Sequence, residues 1–488
     1  MISFFAGATT VLAFSPFDLF LIPLLTIAVL FYQWHKASSS QAAWNGYFFG
    51  LGLMGFGVFW LHISIAKFGG VILPVAMILA ILFAAFIALF YALAAWLSVK
   101  FCQRFNCNIT VKLLLVFPLF WVASELTRAY LWSGFPWLSI GYSQIDSPLI
   151  ALAPVLGVFG VSWILVLFAS LLLLLVIGER LHRVMVISVL IILGVLLSWL
   201  SSVRWVEPVD EKMTVRMIQL NIAQEVKWQP NYLESTIDQY VEQTFEKSAD
   251  LIIWPETAVP AFSYAVEDSL LAPLLRRLQT EPMELVLGIP IKSEDYGYFN
   301  GMLSLGSQRE EYHKRHLVPF GEFAPLDFLL RPLIDYFRIP MSDFRQGEAD
   351  APILKIGQHK VGVSICYEDV FGNETAQALP QSSYLINISN DAWFGDSLAP
   401  HQHLQIARMR AVENGRYLLR ATNTGISAII NESGKVKVSS VYGEKSVIEG
   451  EFQPMQGETI YSKKADALIL LILVGGLLLA GLVGFRRH

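Results

Sequence analysis

The length of its apolar runs constrains this chain more than any other feature. A helix needs about 20 apolar residues to cross the hydrocarbon of a bilayer. Backbone groups in lipid have no water to bond, so a span closes its own hydrogen bonds. Runs of this kind fill residues 1–203 and return at 466–485. Five are long, at 46–66, 72–98, 156–177, 184–203 and 466–485, and two shorter ones cover 18–34 and 112–127. The opening "ISFFAGATTVLAF" lacks the basic start and clear cleavage site of a signal peptide, so a short or tilted retained helix is expected there. The reading is a membrane α-helical bundle of about eight transmembrane helices.

Residues 213–455 are different. The whole chain is 55% hydrophobic and 15% charged, against about 25% charged in ordinary soluble domains, but this segment alone has a soluble composition. The expected organisation is a bundle over 1–203, a linker over 204–212, a catalytic domain over 213–455, a second linker over 456–465, and a final span with its tail over 466–488. Lysines and arginines in short loops set orientation. With the amino terminus inside, the inner loops hold Lys36, Lys100, Arg104, Lys112, Arg180, Arg183, Arg486 and Arg487, and the outer ones only Lys67 and Arg128. The 213–455 segment then lies outside, in the periplasm of a bacterial inner membrane protein. The net charge of −5 is modest and no basic run suggests nucleic acid, so no nucleic-acid partner is expected.

Within 213–455, apolar alternation predicts strands at 213–222, 250–256, 283–291 and 382–391, and amphipathic spacing predicts helices at 233–248, 269–279 and 401–416. Paired strands are expected at 299–307 and 310–320, with hairpins turning near Gly357 and at 432–434. Strands that alternate with helices, then pair, point to a layered α/β domain.

Three side chains sit where strands end. Glu256 closes "LIIWPE", Lys314 lies in "EYHKRHLVPFGE", and Cys366 closes "VGVSIC". Together they suit acyl chemistry: a thiolate attacks, a carboxylate takes its proton, and an ammonium meets the oxyanion. A helix beginning after Cys366 would favour the anion further. Taken alone, each has an ordinary reading. Cys366 can be a small buried hydrophobe, Glu256 a cap, Lys314 part of a solvated patch, and Glu322 in "PFGEFAP" a turn acid. Cys102 and Cys107 have no nearby third ligand. His401 and His403 in "PHQH" stand at i and i+2, which do not face each other on a helix. No metal and no cofactor is expected.

The strings "IIWPET", "YHKRHLVPFGEFAP" and "VSICYEDV", in that order, resemble the glutamate, lysine and cysteine motifs of the carbon–nitrogen hydrolase (nitrilase) superfamily. "NISNDAWFG" and "HLQIARMRAVENGRYLLRATNTGIS" continue the match. The insertion of such a domain between membrane helices, with "WVASELTRAYLWSGFPWLSIGYSQ" and "GVFGVSW" in the bundle, is similar to the bacterial apolipoprotein N-acyltransferases.

That resemblance implies an αββα sandwich with Glu256, Lys314 and Cys366 as catalytic triad. Glu322 would be a further essential acid, Tyr367 and Glu368 would follow the nucleophile as in that family, and Trp228 and Trp393 would match aromatic positions near the substrate entrance. It implies ping-pong transfer of the sn-1 acyl chain of a phospholipid, preferably phosphatidylethanolamine, through a Cys366 thioester. The acceptor would be the α-amino group of an S-diacylglyceryl-cysteine apolipoprotein. The partners are then donor phospholipid, acceptor apolipoprotein and bilayer, with the enzyme a monomer. The apolar stretch 324–337 reads either as a lid dipping into the interface or as an ordinary cover helix. A membrane-tethered amidase acting on a soluble C–N substrate is the alternative, although a tether needs one helix, not a bundle. A transporter or receptor would place charges inside its spans, and few are there.

Overall fold

The computed structural model describes residues 1–209, 211–293, 297–323, 344–348 and 350–485. The stretch 324–337 and the tail arginines Arg486 and Arg487 lie outside the described residues. The chain forms two compact units. One joins Met1–His62, Ile72–Arg204 and Lys464–His488, and the other joins Ile63–Val71 and Trp205–Lys463.

The first unit is helical. Four helices are long and apolar enough to cross a membrane: Leu73–Arg104, Ile109–Tyr130, Pro148–Ile177 and Arg180–Ser202. Ile22–Lys36 has 15 residues, and Ile2–Ala13 and Ala467–Val483 are shorter apolar helices. The run expected as one span at 46–66 is broken into Ser39–Gly57 and Leu61–Lys67. The described residues thus hold four such helices, or five if the broken pair counts as one. The break coincides with a close approach of Leu138. A side chain at Gly57 would meet Leu138, and the Trp60 indole N–H donates to the Gly57 carbonyl at 3.1 Å, partnering a carbonyl released from the helix.

Small residues let these helices approach closely, as packing in lipid favours. A Cβ on Gly52 would stand 2.1 Å from the Phe4 carbonyl oxygen, so the Ile2–Thr10 and Ser39–Gly57 helices touch backbone to backbone there. Glu125 and Arg128 are buried in this unit. Glu125 Oε1 accepts from the Trp121 indole at 3.0 Å and from the Ile140 amide at 2.9 Å, and Arg128 Nη1 donates to the Phe135 carbonyl at 2.8 Å. Both pin the loop over 131–147 to their helix.

The second unit is built on two six-stranded sheets. Its strands are β1 (Val206–Pro208), β2 (Met213–Gln219), β3 (Leu251–Ile253), β4 (Glu284–Lys292), β5 (Tyr298–Leu305), β6 (Glu310–His313), β7 (Ile353–Ile356), β8 (His359–Ile365), β9 (Tyr384–Ser389), β10 (Leu418–Thr422), β11 (Ala428–Ile430), β12 (Val436–Ser439), β13 (Ser446–Phe452) and β14 (Met455–Gly457). One sheet runs β13-β2-β3-β4-β5-β6, the other β12-β11-β10-β9-β8-β7, and β1 pairs with β14. In each large sheet two parallel pairings join three central strands, β2-β3-β4 and β8-β9-β10. The outer pairings are antiparallel. Both sheets therefore share one pairing pattern, although the sequence carries no visible repeat.

Alternation explains the layers. Val215, Met217, Leu251 and Ile253 of one sheet form a core with Val361, Val363, Ile365, Ile386 and Ile388 of the other. The intervening Ile218 and Ile252 face outward and pack with Tyr240, Leu274 and Leu278 of the Pro230–Glu246 and Ala272–Leu278 helices. On the far side, Leu385 and Leu418 meet Ala407 and Ala411 of the Ala399–Asn414 helix. Helices cover both outer faces, so this is the αββα sandwich.

Candidate active site

The nucleophile candidate sits on a strained turn. Cys366 follows β8 directly and has φ +53°, a left-handed backbone that costs a non-glycine residue on the order of 1 kcal/mol or more. The short turn Cys366–Val370 follows. Glu368 fixes it: Oε2 accepts from the Ile365 amide at 2.7 Å. Oε1 accepts from the Tyr312 hydroxyl at 2.8 Å and from the amides of Arg315 at 2.6 Å and His316 at 3.1 Å. One buried carboxylate therefore ties the cysteine turn to the lysine loop. Burial pushes the Glu368 carboxyl up, and the Ile365 amide, Lys314 and the Arg315 amide oppose this. Tyr367 packs edge-on against Phe371 at 5.2 Å and His316 at 5.9 Å.

Glu256 follows β3 by three residues. The Trp254 indole donates to Thr244 Oγ1 at 2.9 Å, anchoring this strand end to the Pro230–Glu246 helix. Gly288 of β4 leaves the needed room, since a Cβ there would lie 2.7 Å from the Glu256 Cα. Lys314 follows β6, and its amide donates to the Asn300 carbonyl at 2.9 Å. The Lys314 ammonium is fully buried. It lies 2.8 Å from Glu322 Oε2, 2.9 Å from Glu322 Oε1 and 4.0 Å from Glu256 Oε1. Asn300 bridges the two acids, donating to Glu256 Oε1 at 2.7 Å and to Glu322 Oε1 at 3.1 Å.

The electrostatics follow from this arrangement. Burial lifts the Glu256 carboxyl above the usual carboxylate range; Lys314 pulls it down and Glu322 pushes it up. Burial would lower the Lys314 ammonium, but Glu322 and Glu256 outweigh it, so Lys314 stays charged. Burial and then Glu256 raise the Cys366 thiol well above its ordinary value, while Lys314 pulls the other way. The resting thiol is therefore protonated. Glu256 Oε2 has no hydrogen-bond partner among the described residues. It is a free acceptor on a carboxylate that senses the thiol. Attack coupled to proton transfer onto Glu256 avoids placing two anions side by side.

The structure brings Glu256, Lys314, Cys366 and Glu322 together, with Glu368 one layer behind. Trp228 is 52% exposed, and Trp393 is half-buried with its ring 4.4 Å from Phe68 and its carbonyl accepting from Ser64 Oγ at 2.6 Å. Sequence reasoning missed two residues. Asn300 alternates into the site from β5, and no local pattern marked it. Lys227, beside Trp228, is buried and donates to the Glu256 carbonyl at 3.1 Å. Burial lowers its ammonium to about 8 against the pull of Glu256. Among the described residues, no cluster of His, Cys, Asp and Glu could hold a metal.

Comparison with known proteins identifies the family. Residues 6–171 match the family model "Apolipoprotein N-acyltransferase N-terminal domain", and residues 214–461 match "Carbon-nitrogen hydrolase". The chain is 44% identical to the apolipoprotein N-acyltransferase of Methylococcus capsulatus, over 93% of this chain and 90% of that one. It is 40% identical to that of Nitrosomonas europaea, over 98% and 96%. It is 38% identical to that of Pseudomonas aeruginosa, over 93% and 90%.

Proposed function

The chain belongs to the apolipoprotein N-acyltransferase family, and from that premise we propose that it moves an acyl chain from a phospholipid to the amino terminus of a diacylated apolipoprotein. The donor is the sn-1 ester of a phospholipid, preferably phosphatidylethanolamine. Cys366 Sγ bonds to the ester carbonyl carbon while its proton passes to Glu256. The oxyanion is stabilised by Lys314; a donor of this kind is worth about 3–4 kcal/mol in the transition state. The carbonyl re-forms, the C–O bond breaks, and Glu256 returns the proton to the departing lysophospholipid. The α-amine of the S-diacylglyceryl-cysteine then attacks the thioester, losing its proton to Glu256. The C–S bond breaks and the thiol re-forms. Glu322 and Asn300 position Lys314 and Glu256, and no cofactor is required.

The observation that carries this reading is the buried ammonium of Lys314 set 4.0 Å from Glu256 Oε1, with both charges acting on Cys366. A bundle of apolar helices suits lipid substrates, since exposing each lipid CH2 to water costs about 0.8 kcal/mol. The loop charges support an inner-membrane enzyme with the sandwich on the periplasmic side, and the reading of about eight spans takes the shorter and broken helices as spans too.

Intact mass spectrometry after incubation with phosphatidylethanolamine tests the reading. Wild type is expected to gain one acyl mass, which a diacylated lipopeptide removes, and Cys366→Ala is expected to gain none. An unmodified wild type that still acylates the lipopeptide would refute the covalent route.

A further inference from the structure

A second buried ionic cluster lies behind the nucleophile, and the reaction above does not use it. His403, 1% exposed on the Ala399–Asn414 helix, has Nε2 2.9 Å from Asp369 Oδ1 and Nδ1 2.9 Å from Asp391 Oδ1. Arg420 of β10 places Nη1 3.1 Å from Asp369 Oδ2 and Nη2 3.0 Å from Asp391 Oδ2. Each carboxylate is thus held on both oxygens.

Both aspartates connect to the nucleophile. Asp369 is the fourth residue of the Cys366–Val370 turn. Asp391 begins the turn after β9, and its Oδ1 accepts from Ser389 Oγ at 3.1 Å. Strand β9 pairs with β8 up to Ile388 beside Ile365, so the strand ends that lead to Asp391 and Cys366 are neighbours. We propose that His403 is a positioning residue for Cys366, clamping Asp369 and Asp391 so that the turn stays aimed and the Asp391 charge beside it stays balanced. The inference rests on the proposed role of Cys366 as nucleophile.

The chemistry of the ring supports this. A neutral imidazole has one donor nitrogen, so one of its two nitrogens would turn a lone pair toward a carboxylate oxygen at 2.9 Å. Arg420 Nη2 also lies 2.8 Å from Nδ1, but it has Asp391 Oδ2 as its own acceptor. Two flanking carboxylates favour the ring with both nitrogens protonated. Burial and Arg420 push the imidazole down, and Asp369 and Asp391 outweigh them, giving about 9. The groups facing it are Asp369 from the cysteine turn, Asp391 from the turn after β9, and Arg420 from β10; Asp391 in turn acts on Tyr442, beyond β12.

The Asp391 charge opposes thiolate formation at Cys366. His403 compensates that charge. Without the imidazole, the negative charge of Asp391 is less balanced.

The test is the pH profile of Cys366 alkylation by iodoacetamide in the detergent-solubilised full chain, read on the Cys366 peptide. His403→Gln is expected to move the alkylation midpoint up by about one pH unit, in the range a neighbouring charge produces. It is expected to slow acyl-enzyme formation by up to about 100-fold through misplacement of the sulfur, with KM for phospholipid within about twofold of wild type. Adding Asp391→Asn to His403→Gln is expected to return the midpoint toward wild type. Asp391→Asn alone, which removes the charge that His403 balances, is expected to lower the midpoint and decides the matter if His403→Gln does not fold. Unchanged midpoints in Asp391→Asn and in folded His403→Gln overturn the inference. So does a double variant further from wild type than the single. If wild type forms no acyl adduct yet these midpoints move, the acyl-transfer reading fails and the role of His403 stands.

Discussion

Two buried ionic clusters flank the same cysteine, and they are finished differently. In the Asp369–His403–Asp391–Arg420 cluster, two carboxylates face two cations and each carboxylate oxygen has a donor. In the Glu256–Lys314–Glu322 cluster, two carboxylates share one ammonium, and Glu256 Oε2 has no partner among the described residues. Asp391 accordingly lies well below the usual carboxylate range: burial would raise it, but His403 and Arg420 prevail. Glu256 lies above that range because burial prevails. The closed cluster is a scaffold. The open one keeps an unmet acceptor, as a general base needs.

The sharpest way to break this contrast is to remove the sulfur. Cys366→Ala is expected to reduce acyl transfer by roughly 10^4-fold or more while thermal unfolding stays close to wild type. Glu256→Gln is the next largest change, with an expected loss of about 10^2–10^4 in rate. Because Glu256 is desolvated and Lys314 keeps Glu322, the variant's stability in denaturant titration should equal or exceed wild type. A marked destabilisation would place Glu256 with the scaffold. In wild type, acyl transfer should fall on the acid side at a pH above the ordinary carboxylate range, since the base must be ionised.

The closed cluster should answer in the opposite sense. Asp369→Asn strands part of the charge of His403 and Arg420, and breaking a buried pair costs about 3–5 kcal/mol, read as a lower denaturation midpoint. The smallest effect is on pH. His403 is raised to about 9 from an ordinary 6.5, so its contribution to stability is complete below about 6.5 and lost as pH rises through about 9. The gap in stability between wild type and His403→Gln should narrow over that interval. A constant gap would contradict a charged imidazole in the clamp.

Much of this could be read from the chain because it is encoded locally. Alternation at Val215–Met217 and Leu251–Ile253 marks strands whose side chains divide between two faces. Glu256, Lys314 and Cys366 each stand just past a strand, where chemistry-bearing residues gather. What escaped depends on distant partners. Asn300 reaches Glu256 across 44 residues of sequence, and His403 reaches Asp369 across 34. His403 drew notice only as half of an improbable metal pair, because nothing near it in sequence shows its two aspartates. The break after Gly57 coincides with the approach of Leu138, and hydropathy alone reads through it.

The central claim is that Cys366, served by Glu256 and Lys314, carries the acyl chain between two lipid molecules. Rapid-mix measurement of lysophospholipid release without an acceptor tests it most directly. The account predicts a burst of one lysophospholipid per enzyme that then stalls until diacylated lipopeptide is added. Steady release with no burst and no dependence on lipopeptide would contradict it and would mark water as the acceptor.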